Sequence, residues 1–220
     1  MPVITIGRMF GSGGETIAAM VAQRLGADLI DRKIFDEVAR RLDMSEDEVE
    51  KLEEVPGSLL DRVLQALGSA SIEFAAPPEG SVWTPPYADP TFDTSKAVLQ
   101  ITQEVIREGA RSGNAVIVGR GGAFVLRGEP DVLHVFVLGP REARVARIRE
   151  LYGLTEEEAK RRVKQTDANR AAYVKQLYGH DWLDPQHYHL VLNTDWLGYE
   201  RSARLIAAAA TDAGGPTATL

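Results

Sequence analysis

Residues 7–16, "GRMFGSGGET", lie between an apolar run and a helical pattern. The apolar run is Val3–Ile6, and the segment that follows, "IAAMVAQRLG" (17–26), has the composition of a helix. A strand, a glycine-rich turn and a helix start form a natural anion site, because unpaired amides at the helix N-terminus point at the bound group. Glycines let the backbone approach phosphate oxygens where a Cβ would collide. This order therefore predicts a phosphate-binding loop.

The loop departs from the common motif G-x-x-x-x-G-K-[ST], in which a lysine reaches the β- and γ-phosphates. Counting from Gly13, the lysine position is Gly14. Glu15 adds a carboxylate, which stabilises a helix start but repels a triphosphate unless a metal or an arginine lies between them. Arg8 could supply the missing charge, or it could be an ordinary surface arginine. From the loop alone, a plain structural turn also stays open.

Bulk composition limits the class of protein. The 220 residues favour one domain, and 44% hydrophobic with 26% charged residues is typical of globular chains. The sequence has no cysteine, no signal-peptide pattern and no apolar run near the ~20 residues that cross a bilayer, so we expect a cytoplasmic protein without a membrane partner. A net charge of -7 argues against nucleic-acid binding.

One basic segment stands out against this acidic background. Residues 141–175 hold ten Lys and Arg against six Asp and Glu. The segment indicates a local anion site, although a solvated helix face with intrahelical salt bridges explains such runs as well.

Five short apolar runs predict strands of a parallel sheet covered by helices on both faces. They are "VITI" (3–6), "ADLI" (27–30), "AVIV" (115–118), "LHVFVL" (133–138) and "YHLVL" (188–192). Between them, an apolar stripe predicts a helix over about 95–111, and Thr155 with Glu158 fits the capping box of another helix.

Residues 44–93 interrupt the alternation of strands and helices. They combine helical patterns with "APPEGSVWTPPYADP" (76–90), which holds five prolines. We expect an insertion that ends in a long loop, which could serve as a lid, a linker or a homodimer contact.

Two further segments support a family resemblance. "AVIVGRGGAFVL" (115–126) places Gly-Arg at a strand end, and the arginine-rich segment 139–170 follows another strand. Together with the glycine loop and in this order, they resemble the cytidylate kinases, especially the cytidylate kinase-like branch of the P-loop nucleoside monophosphate kinases.

The resemblance implies an α/β fold of the P-loop NTPase type, with three layers. It implies a single domain (1–220) around a five-stranded parallel sheet of order 2-3-1-4-5, with a helical acceptor-binding insertion (44–93) and a helical lid (141–182). It also implies transfer of the γ-phosphoryl group of ATP, with Mg²⁺, to a nucleoside monophosphate, CMP or dCMP first.

The same resemblance assigns site residues. The loop that binds ATP would comprise Gly11, Ser12, Gly13, Gly14, Glu15 and Thr16. Arg120 matches the arginine of the family's G-R-D, which faces the acceptor, and Asp31 matches an acidic residue of the acceptor pocket. Arg147, Asp167 and Arg170 fall in the lid pattern, where we assign Asp167 to the acceptor. With Arg8, the arginines Arg120, Arg147 and Arg170 form the predicted catalytic set.

Phosphoryl transfer to a monophosphate needs cations more than a general base, because the acceptor is already an anionic nucleophile. Loss of the loop lysine is therefore tolerable if these arginines converge. Gly121 and Tyr188 stand where cytidylate kinases have aspartates, so the sequence identifies no metal ligands and leaves base specificity open. A P-loop kinase for another small metabolite, or a regulatory protein that binds nucleotides without catalysis, are the alternatives.

Overall fold

The predicted strands form one parallel sheet in the computed structural model, which describes residues 3–31, 37, 40, 41 and 94–212. The strands are β1 (Val3–Arg8), β2 (Asp28–Ile30), β3 (Ala115–Val118), β4 (Val132–Leu138) and β5 (Leu190–Asn193). Their order is β2-β3-β1-β4-β5, and every pairing is parallel. The predicted fold class and strand order are confirmed.

Helices follow the strands within the described residues. They are α1 (Gly14–Leu25), α2 (Thr94–Ser112), α3 (Gly122–Val125), α4 (Arg141–Tyr152), α5 (Glu156–Tyr178) and α6 (Thr194–Asp212), with a 3-10 turn at Pro185–His187. The capping box of α5 is present as predicted, because Thr155 accepts from the Glu158 amide while the Glu158 carboxylate accepts from the Thr155 amide. This reciprocal pair satisfies amides that a helix start leaves open.

The core lies on the face of the sheet that α1 and α6 cover. Side chains of β1 and β4 pack there against Ile17 and Val21 of α1 and Ile206 of α6, all fully buried. Because parallel strands end at one edge, the turns after β1, β3 and β4 meet at that edge. Ligands of open α/β sheets bind outside these carboxyl ends.

The chain divides into two compact units, residues 1–31 with 105–220, and residues 32–104. In the second unit, Arg41 pairs with Glu37 at 2.6 Å and with Glu104 at 3.1 Å. The predicted insertion 44–93, with its homodimer contact, lies outside the described residues. No helix in the described part of the chain is long and apolar enough to cross a membrane.

Candidate functional site

The glycine loop is a tight turn between β1 and α1. Gly11 and Gly13 have φ values of +78° and +82°, which residues with a Cβ rarely adopt. The backbone N–H and hydroxyl of Ser12 both donate to the Met9 carbonyl, at 3.2 and 2.7 Å. A Cβ on Gly13 would collide with the ring of Tyr199. The loop therefore needs glycine at both positions, and its amides lie at the start of α1.

Arg8 occupies the space that a side chain at Gly14 would need. An ideal Cβ on Gly14 would lie 2.6 Å from Arg8 Cβ and 2.7 Å from Arg8 Cγ. The Arg8 guanidinium lies against Gly119, where a Cβ would collide with its terminal nitrogen Nη1. The stem of Arg8 thus covers the lysine position of the common motif, and its charge lies between the loop and the end of β3.

Three arginines of helices α4 and α5 donate hydrogen bonds to backbone carbonyls of the loop. Arg170 donates to the Arg8 carbonyl at 2.8 Å, and Arg144 donates to the Phe10 carbonyl at 2.9 Å. Arg147 donates to the Gly11 carbonyl and also lies over the Tyr199 ring, 5.1 Å from its centroid. These contacts bring Arg147 and Arg170, both from the predicted lid, to the loop.

Sequence reasoning did not select Arg144, which is 5% exposed and central to this arrangement. Its guanidinium also donates to the Gly139 carbonyl at 2.9 Å and pairs with Asp167 at 2.6 Å. Asp167 in turn accepts the Phe10 amide at 2.8 Å. One ion pair therefore joins α4, α5, the loop and the end of β4. Its three-residue spacing from Arg147 was the available signal, but spacing cannot say which arginine is buried.

Arg120 lies at the end of β3 in a left-handed conformation, with φ +54°. Burial and the charge of Arg8 together lower its pKa to about 10, while Tyr173 and Asp31 act in the opposite direction. Asp31 directly follows β2 and Arg120 lies two residues beyond β3, and these two strands are paired in parallel. Both predicted acceptor residues therefore belong to the same edge of the sheet.

Gly121, where cytidylate kinases have an aspartate, packs against an aromatic ring. Its φ is +69°, and an ideal Cβ would lie 2.5 Å from a ring carbon of Tyr178. The ring of Tyr178 lies 6.2 Å from the ring of Tyr173, whose burial raises its phenol pKa. Tyr178, which forms a tyrosine pair with Tyr173, therefore fills the space that a side chain at position 121 would occupy.

Arg8, Arg120 and Arg170 form a cluster, called here the arginine cluster. Burial lowers the pKa of Arg170 to about 9, with the charges of Arg8 and Arg120 adding to the effect. At neutral pH all three guanidiniums remain charged. Three such cations near one another at a glycine loop favour a polyanion.

The first turn of α1 carries the remaining loop residues. Glu15 is half exposed and accepts from Arg8 Nε at 2.9 Å, while Thr16 is exposed. Within the described residues, no group of three or more His, Cys, Asp or Glu side chains could hold a metal ion. A Mg²⁺ ion that arrived with a nucleotide would need few protein ligands, because Mg²⁺ keeps several waters and binds substrate phosphates.

Tyr188, the second departure from cytidylate kinases, is a packing residue. It is 8% exposed, its ring lies 4.8 Å from that of Phe136, and its hydroxyl donates to the Trp182 carbonyl at 2.9 Å. Burial raises the pKa of the Tyr188 phenol. Trp182, which is 5% exposed, packs in the same cluster.

His134 is a buried histidine of the sheet. Its Nδ1 lies 2.8 Å from the Thr5 hydroxyl, and its ring stacks on His189 at 5.0 Å. Burial, with the charge of His189, lowers the pKa of His134 to about 4. The folded protein therefore holds His134 neutral.

The parallel sheet, the glycine loop at its carboxyl edge and the converging arginines define a protein with the fold of P-loop kinases. The model of the cytidylate kinase-like family matches residues 3–196. The chain therefore belongs to the cytidylate kinase-like family.

One sequence relative is a cytidylate kinase, and two solved structures share the fold. The cytidylate kinase of Methanopyrus kandleri is 28% identical over 216 residues, which cover 94% of this chain and 92% of that protein. An uncharacterized protein from Eubacterium ventriosum has a similar structure, with a TM-score of 0.66 at 20% identity over 96% of this chain and 99% of that one. The shikimate kinase from Bacteroides thetaiotaomicron gives a TM-score of 0.50 at 16% identity, over 94% and 97% of the two chains.

Proposed function

We propose that this protein transfers the γ-phosphoryl group of ATP, with Mg²⁺, to a nucleoside monophosphate, with CMP or dCMP as the first acceptors to test. Membership of the cytidylate kinase-like family supports a kinase that acts on nucleotides. The observation that carries the proposal is the convergence of Arg8, Arg120 and Arg170 beside the glycine loop. We expect the reaction to occur in the cytoplasm.

The loop amides and the start of α1 would hold the β- and γ-phosphates of ATP. The left-handed glycines 11 and 13 permit close approach of the backbone, and the positive end of the helix dipole favours the anion. Mg²⁺, when bound, would neutralise part of the charge on the transferred group. The described residues fit this role through the loop, with the exposed Thr16 hydroxyl in the first turn of α1.

Arg8 would replace the absent lysine. Its stem covers Gly14, and its guanidinium lies between Gly119 and the first turn of α1. A guanidinium can grip two phosphate oxygens at once, whereas an ammonium acts as a point charge. The replacement therefore changes the geometry of the cation while keeping its charge.

Arg170 and Arg120 would supply the other cations. Arg170 is joined to the loop through the Arg8 carbonyl, and we assign it to the transferring phosphoryl group. Arg120, with Asp31 as its acidic neighbour, would bind the acceptor phosphate. An oxygen of that phosphate attacks the γ-phosphorus, the bond to the β–γ bridging oxygen breaks, and ADP leaves. No general base is required, because the attacking oxygen is already ionised at neutral pH.

Arg147 and Asp167 would position the lid and the loop. Arg147 binds the Gly11 carbonyl, and both oxygens of the Asp167 carboxylate are engaged, one by the Phe10 amide and one by Arg144. We therefore assign Asp167 to holding the loop in shape, with any contact to the acceptor made through neighbouring arginines.

A coupled assay of ADP release across nucleoside monophosphates tests the proposal. We expect turnover with CMP or dCMP above the rate without acceptor, and an Arg120→Ala variant should lose it. The absence of turnover with every monophosphate would refute the proposal.

The replacement at Gly121 favours a second candidate, a P-loop kinase for another small metabolite. The tyrosine pair alters the side of Arg120 where cytidylate kinases have an aspartate. Screening a metabolite panel for ATP-dependent mass shifts separates this candidate from the first. Tight ATP binding in calorimetry without turnover on either panel would instead identify the regulatory alternative.

A further inference from the structure

Glu15 connects two members of the arginine cluster. It is the second residue of α1, and its side chain is 49% exposed. One carboxylate oxygen, Oε1, lies 2.9 Å from Arg8 Nε and 3.9 Å from Arg170 Nη2. Arg170 also donates to the Arg8 carbonyl at 2.8 Å. Glu15, Arg8 and Arg170 therefore form a closed set of contacts at the mouth of the loop.

The electrostatic surroundings favour an ionised Glu15. Burial alone would raise the pKa of Glu15, but the charges of Arg8 and Arg170 outweigh it and lower the pKa below its usual value. The charge of Arg8 disfavours that of Arg170, and the Glu15 carboxylate lies between the two guanidiniums. Without this anion, like charges would push Arg8 and Arg170 apart.

The contact with Glu15 leaves the two terminal nitrogens of the Arg8 guanidinium available. Glu15 binds Nε, the nitrogen nearest the stem. Among the described residues, the terminal nitrogens of Arg8 have no other hydrogen-bond partner, and Nη1 lies against Gly119. A carboxylate that competed for the phosphate position would instead take both terminal nitrogens in a bidentate pair.

Resting on the proposed function, we propose that Glu15 is a positioning residue. Its carboxylate holds Arg8 and Arg170 side by side and directs the terminal nitrogens of Arg8 toward the phosphates. In the common motif, this position carries a Ser or Thr whose hydroxyl binds Mg²⁺. Glu15 here binds Arg8, the arginine that replaces the lysine. A residue beside the lysine position therefore stabilises the replacement cation.

Kinetics of Glu15→Gln test this role against a matched control. Glu200→Gln removes the same charge from a carboxylate whose side chain is similarly exposed (54%). Glu200 pairs with Arg24, which lies at the other end of α1 from Glu15. We expect Glu15→Gln to lower kcat by about 10- to 100-fold, the effect of a displaced catalytic group, with the KM for ATP changed by less than about threefold. Glu15→Asp keeps the charge and should recover part of kcat, and Glu200→Gln should match the parent.

The position of Arg8 is measured without any nucleotide. In ¹⁵N NMR spectra, hydrogen bonding to Glu15 should shift the Arg8 Nε–H signal downfield, and Glu15→Gln should remove that shift. This measurement separates the two proposals. If the parent protein phosphorylates no monophosphate, the proposed function fails. Loss of the Arg8 Nε–H shift in Glu15→Gln would still support the placement of Arg8 by Glu15. The inference is overturned if the Arg8 signal is unchanged in Glu15→Gln, or if Glu15→Gln has the same kcat as the parent protein. A defect confined to the Mg²⁺ requirement, with the signal retained, would also overturn it and identify a metal ligand.

Discussion

A Gly14→Lys substitution would restore the lysine of the common motif. It would also displace Arg8, the arginine that occupies the lysine position. The new Cβ would lie 2.6 and 2.7 Å from Arg8 Cβ and Cγ, whereas carbon atoms pack at about 3.5 to 4.0 Å. Arg8 belongs to β1 and pairs in register with Val137 of β4, so its Cβ cannot rotate away. We therefore expect Gly14→Lys to lower kcat by about 10- to 100-fold, because Arg8 is displaced.

The size of the steric effect follows from Gly14→Ala. Alanine at a glycine of a helix normally stabilises by about 0.5 to 1 kcal/mol. Overpacking costs about 1 to 3 kcal/mol. The net expectation is a loss of up to about 2.5 kcal/mol in the free energy of unfolding, or up to about 10 °C in Tm for a chain of this length.

Urea and thermal unfolding of four proteins measure this effect: the parent, Gly14→Ala, Arg8→Gly and the double variant. Arg8→Gly removes both carbons that the new methyl group would meet. Gly14→Ala should therefore destabilise the parent and stabilise the Arg8→Gly background. If alanine has the same effect in both backgrounds, or if Gly14→Lys raises kcat, Arg8 does not occupy the lysine position and the reasoning is refuted.

Three further predictions concern other parts of the molecule. Arg170→Ala should lower kcat by about 10³-fold in the ADP-release assay, whereas Arg161→Ala, on the exposed side of α5, should not. Since the folded pKa of His134 is about 4 against 6.5 unfolded, its stabilising contribution is present above pH 6.5 and is lost as the pH falls toward 4. Urea midpoints should show a loss of about 2 kcal/mol from this group between pH 7 and 5, absent in His134→Gln. Gly121→Asp, which meets the Tyr178 ring, should lower Tm without raising CMP turnover; a gain in turnover would contradict the packing seen here.

The strands could be predicted because their signal is local. Short, mostly apolar runs bounded by turn formers indicate buried strands, and each of the five predicted runs overlaps a strand of the sheet. The run 188–192 was shifted, since β5 spans Leu190–Asn193 and Tyr188 instead follows the 3-10 turn. Pro185, three residues upstream of Tyr188, begins that turn, and apolar periodicity does not detect it.

The site could be predicted only in part, because charge patterns do not report burial. Arg147 and Arg170 contact the loop, yet the buried arginine of the pair three residues apart is Arg144. The contact between Arg8 and Gly14 joins residues six apart in sequence through a steric fit that no local rule encodes. The pairing of Glu15 with two guanidiniums likewise depends on where α5 lies.

The hydrogen bonds of Arg144 bear on how ordered the glycine loop is before any ligand arrives. Glycine-rich segments have high backbone entropy, so ordering one on binding would weaken the affinity for its ligand. Here local opening of residues 9–13 would have to break the bonds that Arg144 and Asp167 make to Phe10. The loop therefore opens only together with α4 and α5, and its amides should exchange with deuterium as slowly as those of the helices that hold it.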